Sequence, residues 1–498
     1  MNIQEAKEEI IRTIQAYLEK DGEGQYLFPA AHQRPLLLMG PPGIGKTAIL
    51  EQAAKDCAVN LVSYTLSHHT RQSAIGLPRL VEKHYGGLSV TVTEYTMSEI
   101  IASVYDAMER TGTPEGILFL DEINCVSETL APTMLQFLQN KTFGTHRLPA
   151  GWVVVAAGNP PEYNKSVREF DVVTLDRVRQ IQVEADLSVW LDYARQRQLP
   201  GAVLSYLTVK PDRFYTVSWK DGEPSFVTAR GWEDLSRLLE SYEVRDYPVT
   251  QDLVSQYLHK ADTARDFAAY WRLYRKYGTD YGISDLLEGT LTEAQYREKA
   301  AMAAAGGFDE GVSVVNLLLE GLLARLRVYD TLDIRTVRLH EMLARFRGMG
   351  QSLAEFLTAG EKALAVKQEN DLISKADAQV EAWVLRRLEA MGAAARERRC
   401  LEPKEVFACL REQFQADVAA RAAAVEAVAQ GLDNAIRFAE DSFDQRAEMG
   451  LLITGLTKLP QAQEFLRLHG CPAYLRHEDS LLYHKREEAL RRACRDAL

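Results

Sequence analysis

The chain has 498 residues, 46% hydrophobic and 26% charged, with 58 Lys and Arg against 70 Asp and Glu for a formal net charge of −12. At roughly 150 residues per domain, one core is too few and about three domains are expected. The acidic surplus argues against a protein whose main task is coating nucleic acid or anionic lipid.

Six cysteines (Cys57, Cys125, Cys400, Cys409, Cys471 and Cys494) stand without a CxxC pair, and they read as reduced, mostly structural thiols. The start, MNIQEAKEEIIRTIQAYLEK, has no basic segment followed by an apolar block, and no run approaches the roughly 18 apolar residues of a spanning helix. A soluble, cytoplasmic protein with no membrane insertion is expected.

Ile3, Ala6, Ile10, Ile14, Tyr17 and Leu18 recur at helical spacing and predict an amphipathic helix over 3–20, ended by the DGEG turn at 21–24. From Pro35 short apolar runs alternate with helical stretches: 36–39, 48–56, 61–66, 98–110, 117–120 and 152–157. Short strands buried on both faces and separated by helices signify a parallel α/β sheet. LSVTVTEY at 88–95 breaks that rhythm; it is β-branched, follows Gly86-Gly87, and reads as part of an inserted β-hairpin. After about 186 the tract to 291 is helical apart from the FYTVSW stretch at 214–219. From 292 the composition shifts to Ala, Glu, Leu and Arg, as in long helices. The expected domains are an α/β nucleotide-binding core at 1–186, a helical lid at 187–291 and an all-α region at 292–498 that serves as partner or client adaptor.

Gly40-Pro41-Pro42-Gly43-Ile44-Gly45-Lys46-Thr47 fits the phosphate-loop pattern GxxxxGK(S/T), preceded by the strand LLLM and followed from Ala48 by a helix. Such a loop turns successive N–H groups toward a triphosphate at a helix amino terminus, where the helix dipole also favours anions. Lys46 is expected on the β and γ phosphates and Thr47 on Mg²⁺, with Ala48 completing the nucleotide-binding set. Ile117-Leu-Phe-Leu-Asp121-Glu122 places Asp121 as the second metal partner and Glu122 as the general base for the attacking water. A third apolar run, WVVVAA at 152–157, ends in Gly158-Asn159-Pro160. A neutral Asn there suits a hydrogen bond to the γ phosphate and the lytic water.

The order of these pieces resembles the AAA+ ATPases, and within them the MoxR branch, on GPPGIGKT at 40–47, TRQSAIGLP at 70–78, ILFLDEIN at 117–124, AAGNP at 156–160, TLDR at 174–177 and TARGWEDLS at 228–236. The likeness implies a P-loop core with a β-hairpin inserted in its second helix, then a helical lid, and it covers about residues 1–290. It makes Asn159 sensor 1, Arg230 sensor 2 on the lid, and Arg177 the arginine finger given to a neighbouring subunit. Val178 replaces the family's Phe, and Arg168 and Arg179 stand nearby as alternatives. It further implies an ATP-hydrolysing, Mg²⁺-dependent homo-oligomeric ring, hexameric in the family. The work implied is chaperone-like remodelling or activation of a protein client or metal-containing complex, with a von Willebrand factor A domain partner.

Two other classes remain open: a nucleic-acid-stimulated motor or restriction-type translocase, and a nucleotide-gated scaffold with little turnover. Against the first, the hairpin segment carries Ser89, Thr91, Thr93 and Glu94 with one Tyr95, poor in the basic and aromatic residues a nucleic-acid channel uses. His68-His69 and His340-Glu341 lack further ligands at metal spacing, since position 344 is Ala. The basic clusters Arg396-Glu-Arg-Arg399 and Arg491-Arg492 read as solvated helix ends.

Overall fold

The computed structural model describes residues 1–478 apart from 31, 67–73, 75, 87, 144, 164–166, 168, 169, 221, 222, 350, 370, 371, 399, 401, 444 and 445. Arg168, His68, His69, Arg399, Arg491, Arg492 and Cys494 therefore lie outside the described residues, as does most of TRQSAIGLP. The chain divides into two compact units, residues 1–194 with 210–268, and residues 195–209 with 269–498. No helix among the described residues is long and apolar enough to cross a membrane.

In the first unit α1 (Ile3–Leu18) opens on a reciprocal cap. Asn2 Oδ1 accepts the Glu5 N–H at 2.9 Å, and the Glu5 carboxylate accepts the Asn2 N–H at 3.0 Å. Five sheet strands and an inserted hairpin follow it: β1 (Leu36–Met39), then α2 (Lys46–Asp56), β2 (Asn60–Thr65), the hairpin β3 (Pro78–Tyr85) and β4 (Leu88–Tyr95), α3 (Glu99–Thr111), β5 (Gly116–Asp121), α4 (Ala131–Asn140), β6 (Trp152–Gly158) and β7 (Arg179–Gln182). The sheet runs β2-β5-β6-β1-β7, and its pairings are parallel. All carboxyl ends of its strands therefore share one edge.

Both faces of the sheet are covered. Leu36, Leu38, Phe119, Val153 and Val155 pack with Ile10 and Ile14 of α1 and Leu50 and Ala53 of α2. Leu37, Leu118, Leu120, Val154 and Ala156 pack with Ile100 and Val104 of α3 and Met134 and Phe137 of α4. Each such fully buried side chain contributes about 1.5–3 kcal/mol, so a charge placed at Val155 would unfold this layer.

The inserted strand pairs as a hairpin with Pro78–Tyr85, in register from Pro78 opposite Tyr95 to Tyr85 opposite Leu88, directly before α3. The sequence reading had only its second strand. The first strand adds Arg79, Lys83, His84 and Tyr85 to the chemistry of the hairpin. With Glu82 on the same strand, Glu94 opposite Arg79, and Lys83 ion-paired to Glu94, the whole hairpin is close to charge-balanced.

After the sheet, β8 (Thr216–Lys220) and β9 (Glu223–Val227) form a second hairpin that leads into a helix at Ala229–Val244. The second unit is helical, built on two long helices, Phe308–Met349 and Pro403–Phe443. At 1.5 Å per residue these are each about 60 Å long. One apolar core joins Leu318, Leu322 and Leu326 to Val428, Leu432 and Ile436. A separate core joins Leu339, Leu343 and Phe346 to Phe356, Val384, Leu388 and Leu410. The stripes beyond Thr292 are thus largely spent on bundle packing.

Candidate nucleotide site

The loop Gly40–Thr47 sits between β1 and α2 at the carboxyl edge of the sheet. Gly43 at φ +73° and Gly45 at φ +96° hold left-handed backbone that a side chain would strain, and Gly45 immediately precedes the first turn of α2. The turn that lets the loop's N–H groups converge is therefore written in its glycines.

Lys46 is 9% exposed. Its Nζ donates to the carbonyls of Gly40 at 2.7 Å and Pro41 at 2.9 Å, and to Asn159 Oδ1 at 2.9 Å. Burial brings its pKa down to about 8; the Asp121 carboxylate works against that shift and the nearby Arg230 guanidinium adds to it. Thr47 Oγ1 lies 3.4 Å from Asp121 Oδ2. Burial raises the Asp121 pKa, opposed by the Glu122 N–H and by Lys46. Two side-chain oxygens side by side at an anion-binding loop are the donor set a hard cation takes, with phosphate and water supplying its remaining ligands. Thr47 and Asp121 thus fit Mg²⁺. Among the described residues no group of three or more His, Cys, Asp or Glu is placed to hold a metal.

Glu122 follows β5 with φ +55°, a conformation non-glycine residues rarely adopt, and its N–H donates to Asp121 Oδ1 at 2.9 Å. The strand thus ends in a sharp turn that separates two adjacent carboxylates. Asn159 comes from the end of β6 and meets Lys46 as described.

Thr228 caps the helix Ala229–Val244, its Oγ1 accepting the Gly231 N–H at 3.1 Å. The helix start lies on the loop: the Arg230 N–H donates to the Gly43 carbonyl at 3.1 Å, and Tyr215 Oη donates to the Pro42 carbonyl at 2.8 Å. A Cβ on Gly43 would stand 3.1 Å from Thr228 Cβ. Tyr215, Thr228 and Asn124 are the residues to which sequence reasoning gave no role, although each lies in a quoted stretch: Tyr215 in FYTVSW, Thr228 at the start of TARGWEDLS and Asn124 at the end of ILFLDEIN.

Lys46, Thr47, Asp121, Glu122, Asn159 and Arg230 are therefore gathered at one edge. Arg177 is not. It is exposed, one turn beyond the short helix Val172–Leu175 that Asp171 caps. Hydrogen bonds from Thr174, with the charge of Arg177 adding to them, hold the Asp171 carboxyl below its usual range. Arg179 is committed within its own chain, to the Glu9 carboxylate and, at 2.9 Å, to Thr13 Oγ1.

A search of curated proteins returns no match to this chain. Residues 36–175 match the model of the ATPase family associated with various cellular activities (AAA), a span holding the phosphate loop, Asp121, Glu122 and Asn159, with Arg177, Arg179 and Arg230 beyond it. The α/β core of this protein is thus an AAA ATPase domain.

Proposed function

We propose that the protein is a ring-forming AAA+ ATPase of the MoxR type that hydrolyses ATP and uses the stroke to remodel or activate a protein client or a metal-containing complex. Its expected partners are further copies of itself, as a hexamer, and a von Willebrand factor A domain protein, in the cytoplasm. The observation that carries the hydrolytic part is the convergence of Lys46, the Thr47–Asp121 oxygen pair, Glu122 and Asn159 on one sheet edge. The hairpin between β2 and α3 is what favours the MoxR branch.

In this reading the loop N–H groups and Lys46 hold the triphosphate, and Thr47 and Asp121 would hold Mg²⁺, whose charge would offset that of the phosphates. Glu122 takes the proton of the attacking water, and Asn159 orients that water against the γ phosphate. Arg230 meets the γ phosphate of its own subunit. Arg177 is free of the carboxylate that engages Arg179, so it is the better candidate to cross to a neighbour. A guanidinium supplied this way is worth about 10³–10⁵ in rate in other phosphoryl-transfer enzymes. The region 292–498 would serve as the adaptor.

The test combines assembly and mixing. Light scattering with ATP should give a closed oligomer. Glu122→Gln should bind ATP and hydrolyse it at under about a hundredth of the wild-type rate. Arg177→Ala should hydrolyse poorly alone and recover when mixed with Glu122→Gln subunits, which lend their finger. A strictly monomeric enzyme at full speed would refute the ring. DNA-stimulated turnover with steep salt dependence would move the reading to a nucleic-acid motor.

A further inference from the structure

The β5–β6 ladder ends with Leu120 opposite Ala156. Asn159 lies three residues beyond it, where no strand is left to pair with its backbone. Its N–H donates to Asn124 Oδ1 at 3.3 Å, and its carbonyl accepts from Asn124 Nδ2 at 2.8 Å. One side-chain amide thus does what a neighbouring strand would do, binding both polar groups of a single residue.

Asn124 is 3% exposed and sits on the 3₁₀ turn Ile123–Cys125, directly after Glu122. Gly158 makes the approach feasible: a Cβ there would stand 2.7 Å from Asn124 Oδ1 and 3.0 Å from Met39 Sδ. The far end of Asn159 is held as well, since its Oδ1 accepts from Lys46 Nζ. A continuous line therefore runs from the turn bearing Glu122, through Asn124 and Asn159, to the lysine of the phosphate loop.

We propose that Asn124 is a positioning residue for ATP hydrolysis, fixing Asn159 against the Glu122 turn so that base, water and γ phosphate keep one geometry. This rests on the hydrolytic reading given above. The residue touches neither substrate nor metal and acts through Asn159. Misplacement of a reacting group by about 1 Å costs about 10² in rate, and that is the scale set for its loss. Nucleotide binding should change little, because the loop N–H groups and Lys46 keep their backbone supports at Gly40 and Pro41.

The experiment is a double-mutant cycle on the full chain, with kcat from phosphate release and ATP affinity from calorimetry. Asn124→Ala should lower kcat by about 30–100-fold while ATP Kd moves by less than about threefold. In an Asn159→Ala background the same change should cost under about threefold further, since the residue it positions is gone. Gly158→Ala keeps Asn124 but pushes its amide away, and it should reproduce the pattern; it carries the test if Asn124→Ala does not fold.

If folded Asn124→Ala and Gly158→Ala both turn over within threefold of wild type while Asn159→Ala is slow, the positioning role is wrong and the hydrolytic reading stands. Full multiplication of the two defects also overturns it, because Asn124 would then act elsewhere. If Asn159→Ala itself is fast, the role of Asn159 falls and this proposal with it. A wild-type chain that releases no phosphate from ATP would fail the hydrolytic reading first.

Discussion

The strand ends at the nucleotide edge and the β3–β4 hairpin are both backbone leaving the sheet's regular core, and the chain secures them in opposite ways. At the strand ends polar side chains are buried or half-buried and tied to backbone: Lys46 to two carbonyls, Asn124 to both groups of Asn159, Asp121 to the Glu122 N–H. In the hairpin the ladder is nearly the whole support. Leu80 is 74% and Leu88 71% exposed, and the ion pair of Lys83 with Glu94 and the hydrogen bond from Ser89 to Glu82 lie on its own two strands. The contrast teaches that fixed chemistry needs buried polar groups with several tethers each, whereas a segment outside that chemistry can stand on its own ladder.

The largest effect should come from breaking the most heavily tethered group. Lys46→Ala removes the one ammonium held by the phosphate loop, and ATP affinity measured by calorimetry should fall by at least about 100-fold, the scale of a charge-assisted contact to phosphate. Unchanged affinity would break the contrast at its stronger pole.

The same lysine predicts a pH dependence. With its pKa lowered to about 8 in the free enzyme, chiefly by burial, Lys46 loses its proton as the pH rises through 8. The kcat/KM for ATP should therefore fall above about pH 8, by up to tenfold per unit, while kcat at saturating ATP holds to higher pH because bound phosphate restores the charge. A kcat/KM profile flat to pH 9.5 would show that the ammonium is not perturbed in the free enzyme.

Most of the site was legible because its chemistry is local in sequence. Gly43, Gly45, Lys46 and Thr47 are contiguous, and Asp121 and Glu122 end an apolar run whose length alone marks a buried strand. Asn159 was legible for the same reason. Asn124, Tyr215 and Thr228 were not assigned, since what makes them matter is contact across 35, 173 and 185 residues of chain respectively. The hairpin was half legible: Val90 and Val92 gave the β-branched signal, but Pro78–Tyr85, with Glu82, Lys83 and His84, has the polar composition of a loop and becomes a strand only by pairing. Composition located the helical region beyond 292 but not its packing. Residues 195–209 and 269–291 belong with those helices in one compact unit, which no local pattern announces.

Lys141 carries the comparison away from the nucleotide edge. It is 6% exposed, and its Nζ donates to Gln33 Oε1 at 2.8 Å. Burial lowers its pKa to about 8, against about 10.4 in an unfolded chain. Between those values the folded state binds fewer protons than the unfolded one, so stability rises with pH through that window and the burial penalty is fullest below pH 8. Denaturant titrations of wild type minus Lys141→Met should therefore show a gain on the order of 2 kcal/mol between pH 7.5 and 10, other groups cancelling in the difference. A pH-independent difference would mean that Lys141 keeps its charge in the fold.

The smallest effect belongs to the hairpin. Leu80→Ser and Leu88→Ser remove apolar groups that are already in water, at positions opposite Thr93 and Tyr85 where the ladder itself is untouched. Exposed substitutions of this kind stay within about 0.5 kcal/mol, so unfolding midpoints and unstimulated ATP turnover should both match wild type. The mismatch between exposure and composition is then the point of interest, because an apolar side chain kept in water contributes nothing to this fold. If Leu88→Ser alone lowered the unfolding free energy by more than about 1 kcal/mol, the hairpin tip would have to be packed in solution, and the line between tethered edge and loosely held insert would no longer hold.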